Sequence, residues 1–139
     1  MQGLSGRVAL VTGAGRGIGR AICQAYGAAG ARVAAAARST DELESIVGDI
    51  RDAGGTAEAF TADVSDPAAP ATLLASVNES LGSVEVLVNN AGGGSSSDPK
   101  PLVEFDDEFW RLTLEVYLFA PYRLTILALP AMIAAGGGR

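Results

Sequence analysis

The sequence predicts an α/β protein, a doubly wound parallel sheet with right-handed crossovers. Three observations carry that expectation. Short apolar runs of strand length alternate four times with segments whose apolar residues recur at three- and four-residue steps. Glycines punctuate the boundaries, and neither a linker nor an internal repeat divides the 139 residues. In such sheets a ligand sits beyond the carboxyl ends of the strands, so function is expected at the four strand-to-helix turns.

The first strand is read from Arg7-Val-Ala-Leu-Val-Thr12, an apolar run that stops in glycines and suits burial on both faces. Ile18, Ala21, Ile22, Ala25, Tyr26 and Ala29 then mark a helix, with Gly30 as its stop. The alanines of Ala31 to Ala37 favour helix by propensity, but their place between a glycine stop and Ser39-Thr40 argues for a second strand. Ser39 or Thr40 caps the next helix through the acidic turn Asp41 to Glu44, with Leu43, Ile46, Val47 and Ile50 on one face and Gly54-Gly55 at its end. Ala57 to Ala62 is a third strand reaching Asp63. Asp66-Pro67 is expected to open a third helix, with Pro67 in the first turn where a missing N–H costs nothing, running through Leu73, Leu74 and Val77 to Leu81-Gly82.

Val84 to Asn89 is the fourth strand, and Gly92 to Pro101 a flexible loop by composition. Asp106-Asp107-Glu108 puts negative charge at the start of a long helix. It carries one apolar stripe of Phe105, Phe109, Leu112, Val116 and Phe119, and another of Trp110, Leu114 and Tyr117. A surface that wide implies burial on more than one side, by the sheet and by a partner subunit. Pro121 is expected to kink the helix. The apolar run Leu124 to Ala135 is shorter than the about 20 residues of a membrane span and reads as a buried helix.

Composition narrows the function classes. With 48% apolar and 19% charged residues the chain has the make-up of a packed globular protein. A net charge of −6, with ten basic residues spread singly, provides no positive stripe for a nucleic acid or an anionic membrane. One cysteine, Cys23, allows no internal disulfide, and Met1 to Arg7 lacks the apolar stretch of a secretory signal, so the protein reads as cytoplasmic. There is no histidine, which removes Ser-His-Asp and Cys-His nucleophiles and the usual zinc sites, and no metal is expected.

The first turn reads Thr12-Gly-Ala-Gly-Arg-Gly-Ile-Gly19. Gly13, Gly17 and Gly19 permit a tight turn and close approach of a ligand, and the following helix offers N–H groups and the positive end of its dipole to a phosphate. The spacing is T-G-x-x-x-G-x-G. It is neither G-x-G-x-x-G nor a P-loop, which would need Lys-Ser/Thr to follow. Asp63-Val64 stands after the third strand and Asn89-Asn90-Ala91-Gly92 after the fourth.

These three motifs, in this order over essentially the whole chain, resemble the short-chain dehydrogenase/reductase family of classical type, 3-oxoacyl-carrier-protein-reductase-like. The resemblance implies a Rossmann-like sheet, present here as its first four strands and their helices. It also implies that Gly13, Gly17 and Gly19 shape the pyrophosphate and nicotinamide-ribose pocket, with Gly15, Arg16 and Ile18 of the same turn as further cofactor-binding candidates. Asp63 and Val64 would flank the adenine, while Asn90, Ala91 and Gly92 pass along the cofactor.

Charge chooses between cofactors. NAD wants a carboxylate at the end of the second strand for the ribose 2′-hydroxyl, and such a group repels a 2′-phosphate. Here the strand ends Ala37-Arg38-Ser39, and the Arg38 guanidinium suits a phosphate with Arg16 approaching from the glycine turn. NADP is therefore favoured over NAD. The competing roles are Arg16 spread along the surface and Arg38 paired with Asp41 or Glu42.

The family's chemistry relies on a serine after the fifth strand and a Tyr-x-x-x-Lys pair. Four residues beyond Tyr26, Tyr117 and Tyr122 stand Gly30, Pro121 and Ile126, and the only lysine, Lys100, lies in the glycine-serine loop. No catalytic residue is therefore expected in residues 1–139, which read as the cofactor-binding part of a domain truncated before that segment and inactive alone. Where family members commonly carry asparagine in Trp-x5-Val-Asn-Leu, this chain has Tyr117, and aromatic packing is its simpler role. The expected whole is an NAD(P)-dependent oxidoreductase interconverting a small-molecule carbonyl and alcohol as a homo-oligomer. The alternative is a non-catalytic dinucleotide-binding or self-associating protein that covers its open fourth-strand edge.

Overall fold

Strands β1 (Val8–Thr12), β2 (Arg32–Ala37), β3 (Thr56–Thr61) and β4 (Val86–Val88) form one sheet in the order β3-β2-β1-β4, every pair parallel. The computed structural model describes residues 3–92 and 101–139. Thr12 is opposite Ala36, and β2 pairs with β3 from Arg32–Thr56 to Ala37–Thr61, so the strand ends share one edge of the sheet. Helices α1 (Gly17–Ala28) and α2 (Thr40–Asp52) cover one face. The other is covered by α3 (Ala69–Leu81) and by a long helix made of α4 (Asp107–Leu114), a π turn (Glu115–Phe119) and α5 (Ala120–Ala134).

All five β1 residues are buried, because alternate side chains enter two cores. Ala9 and Val11 join Val33, Ala35, Cys23, Leu43 and Ile46 beneath α1 and α2. Val8 and Leu10 join Ala34, Ala36, Leu73, Val77 and Leu124 beneath α3 and α5. The alanines of β2 are strand for the same reason: covered by helices on both faces, they follow their position rather than their propensity. Each fully buried leucine, such as Leu10 or Leu43, contributes about 1.5–3 kcal/mol of burial. Cys23 is wholly buried, and that burial pushes its thiol pKa up to about 12, leaving it neutral and inert.

Helix starts follow their side chains. Ser39, not Thr40, caps α2: its hydroxyl accepts from Glu42 N at 3.4 Å, while Thr40 Oγ1 bonds Thr61 Oγ1 at 3.1 Å. The expected start of the third helix is corrected. Asp66 accepts from Ala68 N at 2.9 Å and its carbonyl from Ala69 N at 3.0 Å, which closes a turn containing Pro67. The helix begins at Ala69, and Pro70 takes the place in the first turn. The fourth strand is also shorter than expected, since Val84 N donates to Asn78 Oδ1 of α3 and Asn89-Asn90 turn away from the ladder.

The long helix departs furthest from expectation. Only Ala120, Leu124, Ala128 and Met132 of α5 are buried, and none of α4. Ile133 is 73% exposed, and Trp110, Leu114, Tyr117, Ile126 and Leu129 are exposed too, so the chain itself buries this surface on one side only. The run from Leu124 to Ala135 is thus not a buried helix but the end of a continuous 28-residue one, Asp107–Ala134, long and apolar enough by composition to cross a bilayer. It carries Arg111, Glu115 and Arg123 along its length, and its buried stripe packs on α3. The irregularity expected at Pro121 is met as the π turn just before it. Pro121 would crowd the carbonyl four residues back, that of Tyr117, and the wider turn relieves this. The outer edge of β4 is not wholly open. Arg139 N donates to Glu85 O at 3.0 Å and Leu87 N to Arg139 O at 2.8 Å, the pattern of a parallel pairing beside Val86.

Candidate functional site

The turns after β1 and β4 are locked together by a buried hydroxyl. Thr12, 2% exposed, donates from Oγ1 to Val88 O at 3.3 Å and accepts from Asn90 N at 3.1 Å and Ala91 N at 3.0 Å. One donor and two acceptor sites are thereby filled. Asn90 answers by donating from Nδ2 to Thr12 O at 3.0 Å and Gly13 O at 3.2 Å. Thr12 was not among the candidate residues. The signal for it is a polar residue ending a strand that is otherwise apolar.

Three glycines of the turn are required by space. A Cβ on Gly13, whose φ is +65°, would lie 2.9 Å from Ala91 Cα and from Asn90 Nδ2. One on Gly15 would lie 2.9 Å from Glu42 Cβ of α2, a contact between distant segments that periodicity does not show. One on Gly19 would overlap the Gly13 carbonyl oxygen and stand 2.6 Å from Asn90 Nδ2. Gly17 has open space around it and is required for its φ of +55°.

These glycines bring the start of α1 to the sheet edge, where Gly17 and Ile18 are exposed and Gly19 is buried. Its N-cap, Arg16, supplies no side-chain hydrogen bond and its first turn holds no acid, whereas Ser39 caps α2 and Asp106 caps α4. The positive end of a twelve-residue helix, with Ile18 exposed beside it, therefore faces outward beyond β1.

Arg16 and Arg38 are both exposed, and among the described residues neither is in an ion pair. Arg38 does not pair with Asp41 or Glu42, and the Glu42 carboxylate rests against Gly15 instead. Asp63 follows β3, where its Oδ1 accepts from Ser65 Oγ at 2.7 Å and Ser65 N at 3.0 Å. The Ser65 hydroxyl bond chiefly, with the Ser65 N–H bond and then the Arg38 charge adding to it, holds its carboxyl below the usual aspartate value against the opposing effect of burial, which is the second largest influence. A depressed folded pKa stabilises the fold above the ordinary aspartate value, and that contribution is lost as pH falls through the folded one. A carboxyl-detected NMR titration of Ser65→Ala is expected to move the Asp63 midpoint upward, and an unchanged midpoint would remove Ser65 as its cause.

Val64, buried, and Ala91 line a narrow cleft with Thr12, Asn89, Val116 and Pro121, and Gly92 lies against Tyr117. Asp63-Val64, Arg38, the glycine turn and Asn90 to Gly92 thus follow β3, β2, β1 and β4 along one edge of the sheet, in the order of its strands. Residues 93–100, Lys100 among them, lie outside the described residues.

Fold and turns together define a Rossmann-like α/β sheet with a glycine-rich helix start at its carboxyl edge. A family model described as short chain dehydrogenase matches residues 7–139, and the chain belongs to that family. A short chain dehydrogenase of Pseudocercospora fijiensis is 39% identical over 97% of this chain and 43% of its own length. The 3-oxoacyl-[acyl-carrier-protein] reductase of Escherichia coli is 35% identical over 96% of this chain and 52% of its own. Among solved structures, a metagenomic short-chain oxidoreductase in complex with NADP superposes with a TM-score of 0.91 at 44% identity, covering 97% of this chain and 60% of that one. The chain spans about half the length of the curated relatives it matches.

Proposed function

We propose that residues 1–139 are the cofactor-holding part of a short-chain dehydrogenase domain, and that they hold NADP for an oxidoreductase interconverting a carbonyl and an alcohol in a small molecule. The carrying observation is the uncapped start of α1 behind the left-handed glycines, with two exposed arginines beside it and no acid at the end of β2. The NADP complex of the metagenomic neighbour and the keto-substrate reductase among the relatives support the reading.

When bound, the nicotinamide supplies or accepts a hydride. The N–H groups of Gly17, Ile18 and Gly19 would bond the pyrophosphate, and the close-packed glycines leave room for it. Arg38 and Arg16 would hold the 2′-phosphate, and Asp63 and Val64 the adenine. Asn90 and Ala91, fixed by Thr12, and Gly92 would line the nicotinamide half. No described residue is assigned the proton transfer. The exposed apolar face of α4 and α5, with Trp110, Leu114, Ile126 and Leu129, would pair protomers of a homo-oligomer in the cytoplasm.

Titration with NADPH and NADH tests the cofactor assignment. Arg38→Ala is expected to weaken NADPH about 10- to 100-fold, the roughly 1.5–3 kcal/mol of a hydrogen bond to a charged group. NADH affinity should stay within about twofold. Tighter binding of NADH by the unaltered protein, or no effect of the substitution on NADPH, would overturn it.

A further inference from the structure

We infer that Tyr117 is a positioning residue that fixes the turn after β4 at the nicotinamide end of the site. The inference rests on the dinucleotide reading above and deepens it. A Cβ on Gly92 would lie 3.1 Å from both Cε1 and the hydroxyl oxygen of Tyr117 and 3.3 Å from Cζ, so the edge of the phenol ring rests on the Gly92 backbone. The same turn is gripped from the opposite side, where Thr12 Oγ1 accepts from Asn90 N and Ala91 N and Gly13 lies against Ala91. Hydrogen bonds from β1 and an aromatic ring from the long helix therefore hold three consecutive residues between them.

Packing alone does not account for this tyrosine. Within its own chain Tyr117 is 54% exposed and fills no core, while its ring lies against Gly92. The helix brings it there through the π turn Glu115–Phe119, in which Tyr117 is the central residue. A Glu115–Arg123 ion pair spans that turn, and the Arg123 guanidinium lies 5.6 Å from the centre of the Phe119 ring, so the irregular turn is held at both ends. The polarity of the bound dinucleotide identifies the end concerned. With the 2′-phosphate at Arg38 beyond β2 and the pyrophosphate at the start of α1 beyond β1, the remaining half lies over β4, where Gly92 and Tyr117 meet.

The test uses the full-length natural protein and two probes, NADPH and 2′,5′-ADP, which carries the adenosine half alone. Tyr117→Ala is expected to weaken NADPH about tenfold by loosening a preorganised wall, with 2′,5′-ADP unchanged within about twofold. Tyr117→Phe keeps the ring and should lose less NADPH affinity than Tyr117→Ala. Gly92→Ala, which displaces the ring, should reproduce the loss in the presence of Tyr117 and add less than about twofold to Tyr117→Ala, since the two changes break one contact. Undiminished NADPH binding by both single variants, or equal loss of both probes, would overturn the inference. If Tyr117→Ala does not fold, Gly92→Ala carries the same comparison. Failure of the unaltered protein to bind either probe would overturn the dinucleotide reading itself.

Discussion

Gly19→Ala is expected to lower the melting temperature by on the order of 10 °C and to abolish measurable NADPH binding, from a destabilisation of about 3 kcal/mol. The added methyl would overlap the Gly13 carbonyl oxygen and stand 2.8 Å from its carbon. Neither that backbone nor Asn90 can retreat, because Asn90 Nδ2 is bonded to Thr12 O and Gly13 O. Helix α1 must move instead, and its far end is seated as tightly: a Cβ on Gly27 would lie 2.7 Å from Ile50 Cγ2. Gly17→Ala is the control. Its φ of +55° carries strain of about 1–2 kcal/mol, but the space is open, so less than the Gly19 loss is expected. Thermal unfolding of both variants checks this, and a Gly19→Ala protein melting within about 2 °C of the original would contradict it.

Thr12→Val should cost about 1–2 kcal/mol and weaken NADPH about tenfold, although it conserves shape. It leaves Ala91 N without an acceptor and takes one partner each from Asn90 N and Val88 O, which keep their bond to each other at 3.1 Å; a buried group left unsatisfied costs about 1–3 kcal/mol. These groups are partly buried, so the low end of that range applies. Thr12→Ser keeps the hydroxyl and should cost under about 1 kcal/mol. Denaturant unfolding distinguishes the two, and equal stability of the valine and serine variants would remove the hydroxyl from its role at the junction of the two turns.

Much of this site was legible because its signals are local. The strand-glycine-helix order placed α1 on the sheet edge, and the absence of an acid after β2 is a property of three adjacent residues. Position also settled β2, whose alanines would otherwise read as helix. Asp66-Pro67 misled because aspartate before proline closes a turn as readily as it opens a helix, and here its carboxylate bonds Ala68 N. The apolar width of α4 and α5 records that a surface is to be covered, but not by what. Contacts between distant segments left no periodic trace: Glu42 against Gly15, Tyr117 against Gly92, and Thr12 against the turn after β4. Threonine in a strand is an ordinary β residue until its hydroxyl is seen to carry three hydrogen bonds.

The central claim is that a dinucleotide lies along the carboxyl edge of this sheet, and amide chemical-shift mapping during NADPH titration tests it most directly. The expected result is that the largest shifts fall on Gly17, Ile18 and Gly19, on Arg38 and Ser39, on Val64 and on Ala91 and Gly92, while Leu74 to Leu81 of α3 stay still. Shifts confined to the groove between β3 and α3, around Phe60, Thr72 and Ser76, would contradict it, as would an unchanged spectrum at saturating NADPH.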